Sequence, residues 1–124
     1  EMCIRDRNVT LSEVSAILAE WKEKDIMPTA MISLNGKLTE NIMTAARKLG
    51  IRVPEDLSLV SFGQLSSELI EPKVTAVIQD GHRIGRKAGE LLMAKLEGEG
   101  RAMYNSEVIF NCEIEEGNSV KKLE

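Results

Sequence analysis

Polar and apolar positions along this chain follow two periods, and the switches between them set out a series of elements. Thr10, Leu11, Ser12 and Glu13 form a capping-box pattern, in which a Thr oxygen and a Glu carboxylate satisfy the orphan amides of a helix start. Behind it Val14, Ile17, Leu18 and Trp21 fall at i, i+3, i+4 and i+7, while Glu20, Lys22, Glu23 and Lys24 take the opposite face. This predicts a helix with Trp21 in the core rather than on a ligand platform. After Pro28 the run Ala30, Met31, Ile32, Ser33, Leu34 is short and apolar, as in a buried parallel strand. Asn35 and Gly36 break it. Leu38, Ile42, Ala45, Ala46 and Leu49 then mark a second helix, closed by Gly50 where a left-handed cap is tolerated.

Val53 and Pro54 turn the chain into a strand over residues 57–61. A polar loop over 63–73 follows, whose Leu65, Leu69 and Ile70 suggest a short helical turn docked inward, and residues 74–78 read as a third strand. Asp80 and Gly81 start a third helix; its stripe of Ile84, Ala88, Leu91, Leu92 and Leu96 is expected to pack on a sheet, with residues 98–100 as its exit. Residues 108–114 carry β-prone side chains for one or two further strands, and 115–124 are polar enough for a loosely held tail. Strand, helix, strand, loop, strand, helix is the order of βαβ units, which implies a parallel sheet with right-handed crossovers. Ligands of such sheets bind beyond the C-terminal ends of the strands, here the loops after residues 34 and 61.

Composition narrows the function classes. A chain of 124 residues that is 43% hydrophobic and 29% charged can bury one core. The formal charge of −4 argues against a phosphate-gripping surface on this stretch, since nucleic-acid binding is driven largely by Lys and Arg. No apolar run approaches the ~20 residues of a membrane helix, and a basic-then-apolar leader pattern is not seen at the start. Cys3 and Cys112 have no paired spacing, so neither a zinc site nor a disulfide framework is implied, and a reduced, cytoplasmic setting is expected. Residues 1–7 read as a scar: MCIRDR is one translation frame of a transposon-end adaptor used in sequencing libraries. Residues 8–124 are then the part that folds.

Candidate chemistry is sparse. Gly36, Lys37, Leu38 and Thr39 lack the earlier glycine of a phosphate-binding loop, and no GxGxxG follows a strand. His82, the single histidine, stands beside Arg83 at a helix start without the nucleophile and orienting partner that a catalytic base needs. Gly81, Gly85 and Gly89 lie four apart on one helix face and suggest close approach of a neighbouring backbone. Glu113, Glu115 and Glu116 read as edge-strand carboxylates that keep the strand soluble. No catalytic residue, metal site or cofactor is expected.

The wording of several stretches is more specific than their periodicity. Pro28-Thr29-Ala30-Met31 through Asn35, then Gly50-Ile51-Arg52-Val53-Pro54-Glu55-Asp56-Leu57-Ser58-Leu59-Val60, then Val74-Thr75-Ala76-Val77-Ile78-Gln79, then Ile84-Gly85 with Leu91-Leu92, resemble the C-terminal part of the lac-repressor (LacI/GalR) family of bacterial transcription regulators. The resemblance covers nearly everything from Asn8 to about Val120. It implies an α/β fold: a partial parallel-sheet lobe of the periplasmic-binding-protein-like (type I) kind, with helices on both faces. It also implies an effector-sensing function, in which a carbohydrate or related metabolite controls operator affinity. Operator DNA would be contacted by a helix-turn-helix headpiece outside this stretch, the protein would be a homodimer, and no membrane would be involved. Two alternatives remain at this point: an exported sugar-binding protein of an ABC transporter, and, ranked last, an enzyme on a related fold.

Departures from the family pattern concern the ligand edge. Gly36 stands where the family has an Asp after its Asn, and Ser61-Phe62-Gly63-Gln64 replaces Gly-[FY]-Asp-Asp, which removes the carboxylate that accepts hydrogen bonds from sugar hydroxyls. Ligand-binding candidates are therefore Asn35, Gln64 and Gln79 as polar groups, Phe62 as an apolar wall, and Gly63 through its backbone alone. Weaker or altered sugar recognition, or an anionic or non-sugar effector, is the expectation.

Overall fold

The computed structural model describes residues 9–67, 70–97 and 107–122. Its elements are α1 (Leu11–Glu23), β1 (Ala30–Ser33), α2 (Gly36–Lys48), β2 (Ser58–Phe62), β3 (Thr75–Ile78), α3 (Gly81–Leu96) and β4 (Glu113–Glu115). The four strands form one sheet in the order β1-β2-β3-β4, with β1–β2 and β2–β3 parallel. Met31 stands opposite Leu59 and Ser33 opposite Ser61; further along, Phe62 stands opposite Val77. The chain divides into a first unit, residues up to Ile78 and from Ile114 on, and a second, Gln79–Glu113.

In the first unit the capping box forms as expected: the Glu13 carboxylate accepts from the Thr10 amide at 2.8 Å, and Thr10 Oγ1 accepts from the Glu13 amide at 3.3 Å. Because side chains alternate across a strand, one face of the sheet buries Ser33, Leu59, Ser61 and Ala76, while Ile32 is left 73% exposed. On the buried side lies one core that joins Val14 and Leu18 of α1, Ile42, Met43, Ala45 and Ala46 of α2, and Ile51, Leu57, Leu59 and Val74. Trp21 packs partly buried against it, as its place in the α1 stripe requires. Lys22 Nζ donates to the Leu49 carbonyl at 2.6 Å, satisfying a carbonyl at the end of α2. Gly50, with φ 66°, takes the left-handed cap.

The turn into β2 is held by one charged pair. Arg52 donates from its backbone amide and Nε to Asp56 Oδ2, both at 2.9 Å, and from Nη2 to Oδ1 at 2.6 Å. Hydrogen bonds from the Arg52 side chain first, and from its backbone amide second, pull the Asp56 carboxyl from an ordinary 3.8 down to about 2. A depressed carboxylate contributes stability that is present above its unfolded pKa and lost as pH falls through the folded one. Holding of this turn should therefore weaken between pH 3.8 and about 2. A carboxyl-carbon NMR titration of Asp56 is expected to show a midpoint near 2, moving upward in Arg52→Ala; a midpoint at the ordinary value in the unsubstituted chain would remove the bidentate pair from the account.

Three expectations are corrected. Between β2 and β3 no helical turn occurs among the described residues; Leu65 and Ile70 do pack on the core, but as irregular chain, and Leu69 lies outside the described residues. Strand structure in 108–114 shrinks to β4, whose three residues are exposed and whose Glu115 pairs with Lys73 at 2.7 Å. The polar tail is not loose over residues 117–121. Ser119 is fully buried: its carbonyl accepts from the Leu59 amide at 2.8 Å, its hydroxyl donates to the Leu59 carbonyl at 2.5 Å, and the Thr75 amide donates to that hydroxyl at 2.9 Å. One serine thus satisfies both backbone groups of Leu59, just before the β2–β3 ladder begins at Val60 and Thr75. In the second unit, no residue of α3 is buried, and a Cβ built at Gly81, Gly85 or Gly89 meets nothing within 4 Å. The proposed exit of α3 at 98–100 lies outside the described residues.

Candidate functional site

At the C-terminal edge of β1 and β2 the structure brings together four of the five candidate residues. Asn35 is the N-cap of α2: its Oδ1 accepts from the Leu38 amide at 2.8 Å, leaving the Nδ2 donors to face outward chemistry. Phe62 ends β2 and is 39% exposed. Gly63 has φ 107°, a conformation that L side chains rarely adopt, which is why a carboxylate-bearing residue is not simply interchangeable with it here. Gln64 follows with its carboxamide exposed. Gln79, the fifth, opens the second unit, where its carbonyl accepts from the Gly81 amide at 2.9 Å at the start of α3.

Gly63 turns out not to offer its backbone freely. Its amide donates to the Val77 carbonyl at 2.9 Å, and its carbonyl accepts from Ser61 Oγ at 2.8 Å. The polar side chains presented at this edge are the Asn35 and Gln64 carboxamides, beside the Phe62 ring.

Sequence reasoning missed the residues beneath the edge. Ser33, Thr39 and Ser61 are all buried and bonded in a row: Ser33 Oγ to Thr39 Oγ1, and Thr39 Oγ1 to Ser61 Oγ at 2.8 Å. Every hydroxyl donates once if Ser33 donates to Thr39, Thr39 to Ser61, and Ser61 to the Gly63 carbonyl. Their signal was present in the pattern, as polar residues at inward positions of two strands and on the buried stripe of a helix. Glu40, one residue on, accepts from the Ser66 and Ser67 amides at 2.8 and 3.2 Å through Oε1, and its Oε2 lies 3.6 Å from Lys37 Nζ. Glu40 is thus a carboxylate already engaged.

Among the described residues no group of His, Cys, Asp and Glu could hold a metal ion, and no helix is long and apolar enough to cross a membrane. The arrangement suits reversible binding of a small polar molecule by two carboxamides and an aromatic ring.

Comparison with known proteins identifies the family and the fold. Residues 4–120 match the periplasmic binding protein-like domain family. The chain is 30% identical over 112 residues to the HTH-type transcriptional repressor PurR of Vibrio cholerae serotype O1, covering 88% of this chain and 33% of that protein. Among solved structures, a LacI family transcriptional regulator from Bifidobacterium animalis subsp. lactis is 25% identical with a TM-score of 0.73, covering 90% of this chain and 40% of that one. A LacI family regulator from Enterococcus faecium, solved with bound ribose, shares the fold at 22% identity and a TM-score of 0.74, with 93% and 42% covered. The chain spans between 23% and 33% of the first curated relatives. It resembles transcriptional repressors and LacI family regulators over a part of their length, and it belongs to the periplasmic binding protein-like domain family.

Proposed function

We propose that this chain is part of the effector-sensing lobe of a cytoplasmic, homodimeric bacterial transcription regulator, and that it is not an enzyme. A small molecule bound at the edge carrying Asn35, Phe62, Gly63 and Gln64 shifts the protein between two postures and so biases its affinity for operator DNA; Gln79, in the second unit, is a separate ligand candidate. DNA contact belongs to a segment outside this chain. What carries the reading is the family match over residues 4–120 together with an open polar edge at the C-terminal ends of parallel strands. The curated relatives are transcriptional repressors, which favours a regulator over a transporter's binding protein.

Among the described residues of this edge no carboxylate is free: position 63 is a glycine, position 36 is a glycine, and Glu40 is engaged by loop amides. Sugar hydroxyls lose their strong acceptor here, whereas Asn35 Nδ2 and the Gln64 carboxamide can donate to carbonyl, ring-nitrogen or anionic acceptors. The effector is accordingly an acceptor-rich metabolite rather than a plain polyol. The test is operator binding by the full-length protein, read by fluorescence anisotropy, with ribose, ribose 5-phosphate and hypoxanthine as probes. An acceptor-rich probe is expected to change operator affinity about 5- to 150-fold, the usual range of allosteric coupling, and Asn35→Ala to abolish the response. Tight ribose binding indifferent to Asn35→Ala would overturn the effector class; sugar binding with no effect on DNA would favour the transporter reading.

A further inference from the structure

Three independent contacts tie the loop after β2 to the first turn of α2. The hydroxyl row ends on the Gly63 carbonyl and passes through Thr39. A Cβ built at Gly36 would fall on the Gln64 carbonyl oxygen and lie 3.1 Å from Leu65 Cα, so the two backbones are in direct contact. Beyond them Glu40 accepts from the amides of Ser66 and Ser67. Gly36, Thr39 and Glu40 occupy successive places on one helix face, and residues 61–67 run along it. Buried polar groups that are fully partnered hold one geometry, because any other leaves them unsatisfied away from water.

We propose that Thr39 and Glu40 are positioning residues. They fix the backbone of residues 63–67 to α2, so that the Gln64 carboxamide is held in register with the Asn35 cap and effector specificity passes from the backbone of Gly63 to these two side chains. The part of this that concerns specificity rests on the effector reading above; the fixing of the loop does not. Because Asn35 caps the same helix that Thr39 and Glu40 belong to, the backbones that carry the two carboxamides are held at one spacing. A fixed spacing of the attachment points lowers the ordering cost of binding and discriminates by the distance between acceptors on the ligand.

Backbone amide hydrogen exchange of the full chain without any ligand tests the loop placement. In Thr39→Val and in Glu40→Ala, the amides of Gly63, Ser66 and Ser67 are expected to exchange about ten-fold faster or more, while the Leu59 amide, bonded to Ser119, keeps its rate. Thr39→Ser and Glu40→Gln retain an acceptor and a hydroxyl or carbonyl in place, and should restore slow exchange. Unchanged loop exchange in the first pair overturns the proposal. So does acceleration shared equally by Leu59, or a failure of the conservative variants to rescue, since both would mean a general loss of stability. In the full-length protein, Glu40→Ala is then expected to narrow the difference in affinity between hypoxanthine and ribose. A full-length protein indifferent to every probe would sink the effector reading, and the exchange result would still decide the loop.

Discussion

Leu59→Ala is expected to destabilise the chain by roughly 2–5 kcal/mol, the range for truncating a fully buried leucine. Leu59 is 0% exposed, stands opposite Met31 across the β1–β2 ladder, and belongs to the cluster that joins α1, α2 and β2. Both its backbone groups are also committed to Ser119, so the strand cannot shift to fill the space left by the missing isobutyl group without breaking the bonds that seat the C-terminal segment. Little relaxation means a cost toward the upper part of the range. Urea denaturation followed by fluorescence of Trp21, which packs on the same core, measures it. Val60→Ala, one residue on and facing the other side of the sheet, is the control and should cost less; the reverse order would show that the buried face of β2 has been assigned to the wrong residues.

The two amphipathic helices α1 and α2, the strand over residues 57–61 and the edge where the strands end were legible in the sequence; the inequality of Leu59 and Val60 was not, because Leu57, Leu59 and Val60 read as one apolar run and the inward Ser61 is polar. Periodicity reports which way side chains point, and wherever apolar burial decides the structure that is enough. It says nothing of where a polar residue finds its partner. Ser119 sits in a stretch whose composition reads as a tail, yet its hydroxyl and carbonyl replace ladder bonds between β2 and β3. The same blindness hid the row Ser33, Thr39, Ser61, three small polar residues at buried positions whose value lies only in their mutual bonding. At the site, Asn35 was legible as a ligand candidate from its place after a strand, but not as the cap of α2, which commits its oxygen and leaves its nitrogen. At Gly63 the amide is taken by Val77, while the carbonyl, which accepts from Ser61 Oγ, keeps one lone pair; neither bond is legible in the sequence. For α3 the stripe of Ile84, Leu92 and Leu96 was a correct reading of period, but all three are exposed, at 40%, 58% and 73%.

Gly36→Ala gives the sharpest test of how the edge is built, because two known effects oppose each other there. Gly36 is the first residue of α2, with ordinary helical backbone, and replacing a helical glycine by alanine where the conformation allows it stabilises by about 0.4–1 kcal/mol through the unfolded chain. Gly85, inside α3 with nothing within 4 Å of a built Cβ, is expected to show that gain. At Gly36 the added carbon would land on the Gln64 carbonyl, 2.9 Å from its carbon, and the obstacle is backbone rather than the end of a flexible side chain. Overpacking of that kind costs typically 1–3 kcal/mol or more, so it outweighs the entropic gain and the sign reverses. Restoring the acidic residue of the family pattern by Gly36→Asp should fare worse still, since it adds a carboxylate to a place already filled by a carbonyl oxygen, and like partial charges repel. Urea midpoints of Gly36→Ala and Gly36→Asp below that of the unsubstituted chain, with Gly85→Ala above it, are the expected result. A Gly36→Ala chain as stable as Gly85→Ala would mean that residues 63–65 do not rest on α2. The glycine at position 36 and the seating of the loop on the helix are then one feature rather than two, because the space that a side chain would take is the space that the Gln64 carbonyl occupies.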